Sequence, residues 1–189
     1  MSETACVLVV CTANICRSPY VAARLQAALR DADIRVESAG TRARPGMEMA
    51  ADSVAQLVHR GIHPDPAFRS RQVTASMIDR ATVVLTMTRE HRAQVLDISP
   101  VALKRTLTLR EFAGLVRAGE PTADAMGARD AWTSAVRSCI SRRGQHPELV
   151  SGPEADLKDP YGLGTAAFVT MADTVEHAVR GISAASMLR

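Results

Sequence analysis

The chain opens on an unbroken apolar, mostly β-branched stretch, Val7 to Val10, the pattern of a strand buried on both faces of a parallel sheet. After a short loop, Ser18-Pro19 reads as an N-cap followed by proline at the first helical position, and Val21, Leu25 and Leu29 then recur on one helical face. Ile34, Val36 and Ser38 alternate with Arg35 and Glu37, which predicts a second strand stopping at Ala39-Gly40. Met47, Ala50, Val54, Leu57 and Val58 predict a helix closed by Gly61. A second apolar run, Ala81 to Met87, predicts a third strand with a short helix through His91 and Val95 behind it. Thr106 to Leu109 predicts a fourth strand, followed by a helix around Phe112, Leu115 and Val116. Strand and helix thus alternate, the signature of an α/β sandwich built on a parallel sheet.

Gly119 to Gly127, which contains Pro121, breaks this rhythm before Trp132, Val136, Cys139 and Ile140 mark another amphipathic helix. Gly144 to Gly164 reads as loop, with prolines at 147, 153 and 160. The last helix has the clearest stripe: Phe168, Met171, Ala172, Val175, Ala178, Val179 and Ile182.

Composition narrows the class without deciding the function. At 189 residues, 47% hydrophobic and 23% charged, the chain is expected to be one folded domain over 1–189. All but two of its 23 basic residues are arginine, but they are scattered among 20 acids and aromatics are only 3%, so no nucleic-acid-binding stripe is present. No apolar run is long enough to span a bilayer and Met1 to Ala5 lacks the start of a secretory signal, so a cytoplasmic protein without membrane partners is expected. Cysteines at 6, 11, 16 and 139 have no regular spacing, and a reducing compartment leaves at least one free for chemistry.

That chemistry is expected in Cys11-Thr12-Ala13-Asn14-Ile15-Cys16-Arg17-Ser18, which joins the first strand to a helix N-terminus, where parallel α/β folds bind anions. Backbone N–H groups of such a loop can encircle phosphate oxygens, and the planar fork of Arg17 adds bidentate contact. A cysteine at the bottom of the cup, Cys11, is favoured as the thiolate by the same donors and faces phosphorus. Displacing an alkoxide or phenoxide then needs a proton donor. The turn Asp156-Leu157-Lys158-Asp159-Pro160-Tyr161-Gly162, just before the last helix, offers Asp159 with Asp156 in reserve, and Tyr161 to line the cleft and stack on an aromatic leaving group.

In these residues the chain resembles the low-molecular-weight protein tyrosine phosphatase family of bacterial type. The resemblance is carried by the cysteine loop, Ser38-Ala39-Gly40-Thr41, Arg69-Ser70-Arg71-Gln72, Leu85-Thr86-Met87-Thr88 and Asp159-Pro160-Tyr161-Gly162, in the family's order. It implies a three-layer α/β sandwich whose four-stranded parallel sheet has strand order 2-1-3-4 with helices on both faces. It also implies hydrolysis of phosphotyrosine on proteins without metal or cofactor, with Cys11 as nucleophile, Arg17 as phosphate clamp and Asp159 as general acid. Thr12, Ala13, Asn14, Ile15, Cys16 and Ser18 match the phosphate loop, Asn14, Ser18 and Ser38 match the residues that brace it, and Cys16 matches a cysteine that can pair with the nucleophile under oxidation. Two departures stand out: Phe68 occupies the position of a bracing histidine, and residues 119–151 exceed the family's core as a helical insertion.

Other readings compete. A protein-arginine phosphatase shares the scaffold, but typically carries threonine where this chain has Ile15. A thioredoxin-coupled arsenate reductase needs relay cysteines, and the stretch after the third strand reads Thr86-Met87-Thr88 instead. A phosphate-binding module without turnover has no use for a nucleophile and an acid together. Zinc held by Cys11, Cys16, His59 and His63 matches no closed four-ligand spacing. The oligomeric state is left open by the sequence.

Overall fold

A computed structural model describes residues 5–119 and 127–187. Four parallel strands, β1 (Ala5–Cys11), β2 (Ile34–Gly40), β3 (Val83–Thr86) and β4 (Thr106–Thr108), form one sheet in the order β2-β1-β3-β4. This is the expected order. Around the sheet run α1 (Arg17–Ala28), α2 (Ala51–His59), α3 (Ala75–Asp79), α4 (Arg89–Ile98), α5 (Leu109–Arg117), α6 (Ala128–Arg142), α7 (Pro147–Ser151) and α8 (Thr165–Met187).

The buried run in β1 has a simple cause. Successive side chains point to opposite faces, so Val7, Val9 and Cys11 enter one core with α1, α5, α6 and α8, while Leu8 and Val10 enter a second with α3 and α4. Both cores need apolar partners, so the strand shows no polar alternation. β2 lies at the sheet edge, where Gln26 covers its open backbone by accepting from Val36 N–H at 2.9 Å and donating to Ile34 C=O at 3.2 Å. None of the described helices is long and apolar enough to cross a membrane.

Three sequence expectations are corrected and one helix is added to them. Ser18 does not cap α1: the helix starts at Arg17 with Cys16 at the N-cap, and the Ser18 hydroxyl is used inside the phosphate loop. Met47 lies outside α2, half-exposed on a loop, although Gly61 (φ 73) closes that helix as read, with Gly61 N–H bonding Val58 C=O and Ile62 N–H bonding Leu57 C=O at the two distances 2.9 and 3.0 Å. α3, five residues capped by Thr74, had no visible apolar period. The stretch from 144 to 164 holds α7, started by Pro147 at its first turn. The expected break at Gly119 to Gly127 falls largely on 120–126, outside the described residues.

The stripe of α6 packs into the core: Trp132, Val136 and Cys139 are buried, and the Trp132 ring meets Phe112 of α5 edge-on with centroids 5.7 Å apart. Glu111, buried at the start of α5, closes a capping box with Thr108 and receives the Arg143 guanidinium at 2.5 and 3.1 Å, which ties the end of α6 to α5. Trp132→Ala is therefore expected to lower stability by about 3–5 kcal/mol, read as a reduced denaturant midpoint by circular dichroism. An unchanged midpoint would show that α6 is only laid on the surface.

Candidate active site

Cys11 ends β1 and Arg17 opens α1, so the loop between them sits at the carboxyl end of the sheet against a helix N-terminus. The turn depends on Asn14, whose left-handed backbone (φ 56) makes a nest-like reversal that turns successive N–H groups inward. The fully buried Asn14 amide holds that shape: Nδ2 donates to Ser18 Oγ and to Ser38 Oγ, both at 2.9 Å, and Oδ1 accepts the Arg71 N–H at 3.0 Å. Both amide hydrogens and the oxygen are thereby satisfied without help from residue 68. Phe68 instead lines a groove along α1 with Pro19, Ala22 and Ala23.

Gly40, at the end of β2, lies so close that a Cβ there would stand 2.4 Å from Thr12 C=O and 2.9 Å from Asn14 N. Only glycine permits that approach.

The Cys11 sulfur lies 3.0 Å from Ser18 Oγ. Ser18 Oγ already accepts from Asn14, so its own proton is available to Cys11 Sγ or, at the longer distance of 3.4 Å, to Ala39 C=O. The other cysteines are poorer nucleophiles. Burial, then the charges of Asp159 and Cys11, push the Cys16 thiol up to about 12; burial pushes Cys139 up to about 11 and raises Cys6.

Arg17 is buried and spans the cup: Nη1 donates to Leu157 C=O at 3.2 Å and Nη2 to Asp159 Oδ2 at 2.5 Å, with Thr12 Oγ1 at 3.5 Å. Asp159 is thus brought to the loop from 142 residues away. Its turn is pinned by Leu157 N–H on Met87 C=O at 2.8 Å and by Tyr161 N–H on Asp159 Oδ1 at 3.2 Å. Asp156, the reserve acid, is spent elsewhere: it accepts from Arg89 N–H at 2.7 Å and pairs with the Arg89 guanidinium at 3.0 Å. Burial alone would raise its carboxyl, but the Arg89 hydrogen bonds prevail and hold it below its usual range, which leaves it ill-suited to give up a proton.

A cleft of about 460 Å³ joins these groups, lined by Cys11, Thr12, Ala13, Ile15, Cys16, Arg17, Arg42, Arg44, Met47, Asp159 and Tyr161. Among the expected site residues, Asn14, Ser18 and Ser38 lie behind the loop as braces. No lining residue comes from 127–151. A second hollow, also about 460 Å³, lies between α5, α7 and α8; it holds no cysteine, and its Arg110 and Glu154 are already paired at 2.5 Å.

Sequence reasoning missed one arm of the site. His91, buried on α4, links Thr12 Oγ1 to Thr88 Oγ1, each at 2.8 Å. A neutral imidazole offers one donor and one acceptor, which suits a ring placed between two hydroxyls. Burial first, then the Arg17 charge, press its pKa down to about 4, against the weaker pull of Asp159 and Asp156. The unfolded chain therefore takes up a proton at His91 below the ordinary value of 6.5 while the folded chain does not, so stability contributed by the neutral ring is lost as pH falls from 6.5 towards 4. The expected loss is about 3 kcal/mol over that window. Denaturant midpoints measured between pH 7 and 4.5 should fall more steeply in the parent than in His91→Gln, and parallel slopes would contradict the assignment.

Among known proteins, a family profile described as low molecular weight phosphotyrosine protein phosphatase matches residues 6–125. A protein-arginine-phosphatase of Geobacillus stearothermophilus is 39% identical over 106 residues, 56% of this chain and 70% of that protein. A low molecular weight protein-tyrosine-phosphatase of Escherichia coli K12 is 36% identical over 109 residues, again 56% and 70%. The solved arginine phosphatase of G. stearothermophilus superposes with a TM-score of 0.68 at 27% identity, covering 95% of this chain and 91% of that one. A Vibrio vulnificus protein solved with benzylphosphonate shares the fold, with a TM-score of 0.70 at 20% identity over 96% and 98%. Profile, relatives and fold agree with a cysteine and an arginine held in one anion-binding loop: the chain belongs to the low molecular weight phosphotyrosine protein phosphatase family and is a cysteine-dependent phosphatase of protein substrates.

Proposed function

We propose that the protein hydrolyses phosphotyrosine on proteins, with Cys11, Arg17 and Asp159 as its catalytic residues. Cys11 Sγ attacks phosphorus in line as the bond to the phenolic oxygen breaks, and the Asp159 carboxylic acid gives its proton to that oxygen. The phosphocysteine so formed is attacked by water, whose proton returns to the Asp159 carboxylate while the P–S bond breaks and releases inorganic phosphate. Arg17 and the loop N–H groups stabilise the equatorial oxygens throughout. Before substrate arrives the Arg17 fork is turned onto Asp159; a phosphate dianion competes for that fork and frees the carboxyl, half-exposed and able to move, for proton transfer. The whole of 1–189 acts as one domain in this reading, with the apolar face of α6 packed into its core and no residue of 127–151 lining the cleft.

The observation that carries the substrate is the wall of the cleft. Ile15 of the phosphate loop, Met47 and Tyr161 line it, an apolar wall suited to a flat phenyl ring. Phosphoarginine is the competing substrate, favoured by the 39% identity to a protein named an arginine phosphatase. A guanidinium leaving group, however, meets Arg42 and Arg44 in the same cleft. One peptide synthesised with either phosphoresidue tests the choice. kcat/KM should be at least about tenfold higher for phosphotyrosine, a difference of about 1.4 kcal/mol in transition-state binding; the reverse order would replace this reading with arginine dephosphorylation.

A further inference from the structure

Building on the cysteine-phosphatase site described above, we infer that Arg42 and Arg44 form a cationic rim that selects phosphopeptides carrying carboxylates beside the phosphorylated residue. Both side chains line the cleft and both are exposed. Their backbone is fixed to the phosphate loop: Thr41 N–H donates to Cys11 C=O at 2.8 Å, Arg42 N–H to Thr12 C=O at 2.9 Å and Ala50 N–H to Ile15 C=O at 2.8 Å. Ser70 closes the loop from below, its hydroxyl donating to Arg44 C=O at 2.5 Å and accepting from Met47 N–H at 3.0 Å. The rim is therefore held in register with Cys11.

These two cations have no partner of their own among the described residues, although the carboxylates of that flank are occupied. Glu37 receives Arg35, Arg71 and Arg80 at 3.0, 3.1 and 2.6 Å, Glu48 pairs with Arg69 at 3.6 Å, and Asp159 is held by Arg17. Such a placement is built for a charge brought by something else. A phosphorylated side chain reaching down to Cys11 leaves its sequence neighbours at the mouth, each residue advancing the peptide by about 3.3–3.6 Å. Aspartate or glutamate there meets planar guanidinium forks that match a carboxylate. Exposed charges of this kind act mainly on encounter and orientation, and are screened beyond a Debye length.

The test uses one peptide core with acidic, amide or lysine flanks (Asp/Glu, Asn/Gln or Lys), each made with phosphotyrosine and with phosphoarginine, turned over by the parent and by the Arg42→Gln/Arg44→Gln and Arg42→Glu/Arg44→Glu double variants. Acidic flanks should raise kcat/KM about tenfold at 50 mM salt and less than about threefold at 500 mM in the parent. In the Arg42→Gln/Arg44→Gln variant the ratio of acidic to amide flanks should fall to about one, and in Arg42→Glu/Arg44→Glu the preference should invert in favour of lysine flanks. Equal rates for acidic and amide flanks in the parent, or a ratio that survives Arg42→Gln/Arg44→Gln, would overturn the rim. Acid preference shown only on phosphoarginine peptides would leave the rim standing and overturn the phosphotyrosine reading instead.

Discussion

Cys11→Ser should reduce the hydrolysis of p-nitrophenyl phosphate by at least about four orders of magnitude while leaving a folded protein that binds phosphate and vanadate. Serine differs from cysteine by one atom and fits the same buried position, so the contact to Ser18, the Asn14 braces and the Arg17 fork persist. What is lost is the proposed nucleophile: an alcohol at this site is protonated and poor, and the nearby imidazole, His91, is occupied between Thr12 and Thr88. None of the remaining cysteines can substitute, because burial keeps Cys6, Cys16 and Cys139 as thiols. Turnover and phosphate affinity measured on the same preparation separate the two effects. Activity above a trace would move the nucleophile elsewhere; loss of phosphate binding together with activity would show that the sulfur shapes the cup rather than attacking from it.

The sheet and the loop were legible in the sequence because their signals are local. Val7 to Val10 is apolar without break since both faces of β1 are covered, and Cys11 to Ser18 packs the proposed nucleophile, the nest and the proposed clamp into eight consecutive residues. Readings failed where one local pattern serves two structures. Ser18-Pro19 has the form of a helix cap, yet the hydroxyl points back to Cys11 because Asn14 and Ala39 surround it there. Met47 continues the period of α2 backwards, but Gly46 at φ 89 and the hydrogen bonds to Ser70 hold it on a loop whose task is to wall the cleft. The His91–Thr12 contact spans 79 residues and leaves no trace in either neighbourhood beyond the Thr88 cap, which is common to many helices. At Phe68 the sequence shows only that the family's histidine is replaced; that the Arg71 N–H completes the Asn14 shell from the backbone is something no side-chain comparison can reveal.

Asp159→Asn should slow phenyl phosphate by about 10²–10⁴-fold, but an ester with an easily expelled nitrophenolate by less than about tenfold. The difference follows from the leaving group. Phenoxide departs as a strong base and needs a proton in the transition state; a nitrophenolate carries its charge away unaided. Asparagine keeps the turn, since its side-chain oxygen can still accept the Tyr161 N–H, but it has no acidic proton to give. The same substitution removes the carboxylate that now occupies the Arg17 fork, so inorganic phosphate and vanadate should bind several-fold more tightly to the variant than to the parent. These two readouts diverge in sign, slower chemistry with stronger binding, which no general disturbance of the loop would produce. Asp156→Asn supplies the contrast: it breaks the Arg89 anchor at the start of α4 and should act through stability, equally on both esters. If instead Asp159→Asn slows the two esters alike, the proton comes from another group, and the short contact with Arg17 is a structural latch alone.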